Sequence, residues 1–186
     1  MPGRYAIALA ATLVVLLTAP PSPAAPTPGT LLAVPLSAAA PTSGTDIPPV
    51  VPQTSIRAIQ LGMGPERVLE LMGRKPDTTK TQAHPIVERT KTVSWGGLRV
   101  VYDGVKPGAR VISISTTSRR DRTVRGVGVG SAEETVRQRV SGVSCRTEYG
   151  YRRCSIGKPL AGNAVTDFAI SRKGRVMRIS LSRVLD

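Results

Sequence analysis

Leu61-Gly62-Met63-Gly64-Pro65-Glu66-Arg67-Val68 is echoed 68 positions later by Val129-Gly130-Ser131-Ala132-Glu133-Glu134-Thr135-Val136. Both copies set an apolar residue and a Gly ahead of a short helical pattern, with Glu sixth and Val eighth. A second pair follows, Arg110-Val111-Ile112-Ser113-Ile114-Ser115 and Arg175-Val176-Met177-Arg178-Ile179-Ser180, 65 positions apart. A helix start and a strand that recur in one order at nearly one spacing mark a duplicated unit. The sequence therefore predicts an α+β fold of two tandem helix-then-antiparallel-sheet repeats, residues 56–118 and 119–186.

Local signals fill in each unit. Gly64-Pro65 opens a helix, because Pro at the first helical position lacks only an N–H that would go unpaired there. Glu66 suits the first turn, Val68, Leu69 and Met72 form the buried stripe, and Gly73 is the stop. In the second unit Ser131-Ala132-Glu133-Glu134 reads as a capping box, Val136 and Val140 as the stripe, and Gly142 as the stop. Residues 90–95 and 98–103 form a hairpin about Gly96-Gly97. Residues 110–117 follow as a strand with Ile112, Ile114 and Thr116 facing in. Strands 143–147, 151–156, 165–171 and 176–183 complete the second unit, with Met177, Ile179 and Leu181 inward and Arg178 and Ser180 outward.

The N-terminal part reads differently. Arg4 precedes the apolar run Ala6 to Thr18, and Ser22-Pro23-Ala24-Ala25 offers small residues for cleavage. This is the pattern of a secretory signal peptide over residues 1–25, with a second candidate cleavage site near Ala39. The run is shorter than the roughly 20 residues a membrane span needs. Residues 26–55 read as a Pro/Ala-rich disordered linker, since ten of the sixteen prolines fall within positions 20–53 and apolar periodicity is too sparse to offset ordering entropy. The expected product is secreted or extracytoplasmic and is not an integral membrane protein after cleavage.

Twenty Arg and six Lys face twelve acids, for a formal net charge of +14. A basic exported chain is drawn to acidic proteins, anionic envelope polymers or anionic lipid. The densest group is Arg119-Arg120-Asp121-Arg122-Thr123-Val124-Arg125, between the two units. Six aromatic residues give few stacking platforms, which argues against nucleic acid. The two cysteines, Cys145 and Cys154, flank a turn sequence in an exported chain, so a disulfide across a hairpin is expected.

Catalytic signals are sparse, and the reading is of a protein that is not an enzyme and carries no cofactor or metal. His84, the one histidine, lies in a loop-like sequence with no nucleophile elbow elsewhere. With both cysteines in a disulfide, it cannot complete a zinc site. Gly126-Val127-Gly128-Val129-Gly130 lacks the spacing of a phosphate loop. The glutamates of the helix starts are explained by the helix dipole.

Several residues carry a family resemblance. The Gly62, Glu66, Val68, Gly73, Pro76 series, Trp95 and the strands 100–104 and 110–114 resemble the small α-β unit of the BamE (SmpA/OmlA-like) envelope proteins. In the second unit the likeness rests on Gly130, Glu134, Val136, the run 166–171 and Gly174-Arg175-Val176. The tandem arrangement resembles that of the β-lactamase inhibitory proteins. The resemblance implies a binding scaffold in the envelope or exterior, or a secreted β-lactamase-type inhibitor. Two departures stand against full equivalence: no cysteine is placed for lipidation, and few aromatics exist to line a concave sheet.

The expected function is a secreted, non-catalytic protein-interaction module, with a charge-driven binder of anionic envelope polymer or lipid as the alternative. The candidate contact residues are Glu148, Tyr149 and Tyr151 at the hairpin tip and Arg146, Arg152, Arg153 and Arg178 around it. A cross-linked hairpin loses little entropy on docking, and Tyr is a common interface anchor.

Overall fold

A computed structural model describes residues 48–185; the signal peptide and most of the linker inferred above lie outside these residues. The chain forms β1 (Ser55–Ile56), β2 (Ile59–Gln60), α1 (Pro65–Met72), β3 (Thr78–His84), β4 (Glu88–Trp95), β5 (Leu98–Tyr102) and β6 (Val111–Thr116). There follow α2 (Glu133–Arg139), β7 (Ser144–Glu148), β8 (Tyr151–Ile156), β9 (Ala164–Ile170) and β10 (Val176–Arg183). Eight strands make one antiparallel sheet in the order β3-β4-β5-β6-β10-β9-β8-β7, and β1 and β2 form a separate ribbon.

The α+β class expected from the repeat is corrected by this architecture. The described residues form mostly antiparallel β-sheet, with two helices of eight and seven residues that each fully bury one side chain, Val68 and Val136. Helices so short do not hold themselves in water and depend on the sheet beneath them. The stripes inferred from periodicity hold in part: Leu69 is 43% exposed, and Val140 is buried as expected but lies beyond the end of α2 in extended backbone. The capping box does not form. Ala132 is the N-cap, the Ser131 hydroxyl accepts the Gly128 N–H, and Glu134 accepts from Gln138.

Alternation in the strands decides which face is buried. Trp95, Leu98, Val100, Tyr102, Ile114, Phe168, Ile179 and Leu181 join one apolar cluster with Ile56, Ile59, Val68 and Val136. Trp95 is 2% exposed and its indole N–H donates to the Arg74 carbonyl at 3.0 Å. Two bulges shift the inward set from the simple alternation. The register slips at Ile112 in β6 and at Met177 in β10, so Val111 and Val176 turn inward. Met177, expected in the core, is 57% exposed, and Ile112 is half-buried.

The described fold also takes in residues placed in the linker by composition. Val50 is buried, and its N–H donates to the Arg122 carbonyl. Asp121, from the basic connector, is fully buried. It pairs with Arg57 Nε at 2.8 Å and accepts the Thr116 hydroxyl. The glycine-rich run is fixed by its own amides: Gly126 and Val127 donate to Thr123, Gly128 to Ser131 and Gly130 to the Val176 carbonyl.

Candidate protein-docking face

The β7–β8 hairpin is built around Cys145 and Cys154, which face each other in register and form the disulfide, with Cα atoms 3.9 Å apart. The clamp leaves a turn at Tyr149-Gly150. Both residues have positive φ, 49° and 78°, the combination of a tight hairpin turn that Asn-Gly usually fills. Gly adopts it freely, whereas a Tyr there is strained. The Tyr149 side chain gains no shelter in return: it is 97% exposed, and Tyr151 is 78% exposed. Two aromatic rings therefore stand in solvent at the end of a cross-linked arm.

The surrounding charges are ordered by the strand register. Arg146 and Arg153 oppose each other on one face and both ion-pair with Glu148, Arg146 at 2.6 Å. Tyr151 shares that face by alternation. Arg152 points to the opposite face, where its guanidinium grips Glu133 of α2 at 2.6 Å, alongside Arg137. The hydrogen bond from Arg152 is the main reason the Glu133 carboxyl titrates below its ordinary range. Arg152 thus fastens the hairpin to α2 and is not a free rim charge. Glu133 also lies near both sulfurs, but these are bonded to each other and offer no thiolate to a metal.

Arg178 stands apart from the tip, on β10. The register runs Arg178 to Ala169, Ala169 to Arg153 and Arg153 to Arg146. At about 4.8 Å per strand, the three arginines span roughly 14 Å of one face. The sheet thus brings Arg146, Arg153, Arg178, Glu148 and Tyr151 together, and separates Arg152 from them.

Sequence reading missed a second row on the same face. Thr78, Ser94, Arg99, Ser115, Ser180, Asp167, Ser155 and Ser144 follow one another in register across all eight strands. Six of the eight are hydroxyl residues, and Ser155 on β8 donates to Asp167 on β9. The signal was present as alternating serines in β6 and β10, but only the pairing reveals that they align.

His84 ends β3 rather than lying in a loop, and its Nδ1 accepts the Ile86 N–H at the following turn. No helix among the described residues is long and apolar enough to cross a membrane. No protein family matches the chain, and neither a curated protein nor a solved structure matches it.

Proposed function

We propose that this chain is an extracytoplasmic, non-catalytic protein-interaction module that docks through the β7–β8 tip. The observation that carries the reading is Tyr149: a fully exposed ring on strained backbone at the end of a disulfide-clamped arm. Strain of this kind is retained where surrounding structure imposes it, often at ligand-contacting positions. Exposed aromatics on pre-organised hairpins dock with little loss of conformational freedom. The disulfide and the exported character of the N-terminal sequence agree on an oxidising compartment. The fitting partner has an apolar cleft for the two rings and an acidic rim, matching the net charge of +14.

The test is kinetic. A partner captured by the parent protein from the envelope or exterior fraction is re-measured against Tyr149→Ala and Arg146→Ala. Tyr149→Ala is expected to weaken binding by about 2 kcal/mol, almost wholly through faster dissociation. Arg146→Ala should mainly slow association and flatten its salt dependence. Equal dissociation rates for parent and Tyr149→Ala would remove the tip from the interaction.

A further inference from the structure

On the sheet face away from the core, where β4, β5, β6 and β10 meet, the surface dips into a pit of about 160 Å³. Its lining includes Ser94, Gly97, Arg99, Ser115, Thr117 and Arg178. A void of this size is well below the ~300–1,000 Å³ of a cofactor or drug-sized pocket. It suits one small polar group.

Two features make this more than an accident of surface shape. The first is charge. Arg99 and Arg178 both line the pit, and neither has a carboxylate within ion-pairing distance among the described residues. Twelve of the nineteen described arginines lack such a carboxylate, so what sets these two apart is that they line one pit together. Asp77, which takes the Gly96 N–H at this turn, is already ion-paired with Arg74. The second is space. A Cβ at Gly97 would come within 3.0 Å of the Ser118 amide nitrogen and of the Thr117 hydroxyl. Any side chain at this position would therefore displace the wall beside the opening. The register fixes the rest, with Arg99 between Ser94 and Ser115, and Ser115 opposite Ser180.

From these groups we infer that the pit is a binding site for a phosphoryl group. Two guanidinium groups supply two positive charges, and Ser94 and Ser115 supply two hydroxyl donors, while the Thr117 hydroxyl donates to the Gly97 carbonyl in the wall of the pit. A terminal phosphate presents three oxygens and close to two negative charges, and arginine matches such oxygens with paired N–H bonds. A carboxylate has two oxygens and one charge, leaving donors unmet. The occupant is a phosphate monoester, carried either on a soluble molecule or on a lipid headgroup. The pit shares Arg178 with the arginine row but neither tyrosine lines it, and the docking proposal is tested at Tyr149 and Arg146, so the two outcomes are read independently.

The experiment is a titration of the full chain at fixed ionic strength, read by amide chemical shifts. The probes are inorganic phosphate, glycerol 3-phosphate, acetate, and vesicles with or without phosphatidic acid. Saturable binding of a phosphate probe is expected, centred on residues 94–99, 115–117 and 178, with acetate at least tenfold weaker. Arg99→Gln and Arg178→Gln should each weaken it at least tenfold, while Arg119→Gln, on the exposed connector, leaves it unchanged. Binding by the soluble esters assigns a soluble ligand. Binding confined to phosphatidic acid vesicles, and lost in the same two variants, assigns a lipid headgroup. Equal affinity for acetate and phosphate, indifference to both substitutions, or no saturable binding to any phosphate probe overturns the site.

Discussion

Replacing Asp121 by alanine is expected to cost about 4 kcal/mol of folding stability. The carboxylate is fully buried and joins three parts of the chain: Arg57 beside the β1–β2 ribbon, Thr116 at the end of β6, and the connector itself. Alanine would leave the Arg57 guanidinium, 19% exposed, without its counter-charge. It would also leave the fully buried Thr116 hydroxyl without this acceptor. Breaking a buried pair costs ~3–5 kcal/mol, and stranding a buried hydroxyl ~1–3 kcal/mol. The two losses share one neighbourhood and overlap, so the total lies below their sum. Asp121→Asn keeps an acceptor for Thr116 and is expected to lose about half as much. Urea unfolding followed by circular dichroism reads the change as a shifted midpoint at constant slope. In the Arg57→Ala, Asp121→Ala double variant the loss should fall short of the sum of the singles by at least ~1 kcal/mol. A loss under ~1 kcal/mol for Asp121→Ala, or strict additivity in the double variant, refutes the reasoning.

Two further outcomes are expected. Replacing Cys145 and Cys154 together by serine opens a loop of about ten residues, which in the chain-entropy account costs about 3 kcal/mol; an unchanged urea midpoint would show that the clamp does not stabilise the fold. Burial pushes the Tyr102 phenol up from 10.0 to about 12. The folded state therefore favours the protonated form, so its stability contribution is complete below pH 10 and is lost as pH rises from 10 towards 12. The loss is roughly 2–3 kcal/mol. Tyr102→Phe should remove that part of the alkaline decline in urea midpoint, and parallel curves for parent and variant would exclude Tyr102 as its source.

Features set by adjacent residues were legible in the sequence. The Gly96-Gly97 hairpin, the helix stop at Gly73 and the Cys145–Cys154 pair all appear where local chemistry puts them. Features set by distant pairing were not. β3 is polar along its length because it is an edge strand, and it is held by its ladder to β4 rather than by an apolar stripe. The bulges at Ile112 and Met177 reversed two inward assignments because register depends on the partner strand. The start of α1 was read correctly, that of α2 was placed on a capping box that does not form, and the weight of both helices was overstated, which is why the α+β class failed. At the candidate site the tip was visible as a turn with tyrosines. The anchoring of Arg152 to Glu133 and the serine row needed the strand order.

That strand order also sets when the molecule can be completed. The central seam of the sheet joins β6 to β10, the last of the ten described strands in chain order. As the chain emerges, β3 to β6 can assemble from neighbouring segments. The open side of β6, with Val111 and Ile114, then waits for β10. Pairings between remote segments form slowly, and an unpaired strand edge is a template for the wrong partner. A chain cut short before Val176 would keep its tyrosine arm and its disulfide, yet present that edge to other molecules. Escape from aggregation thus rests on β10.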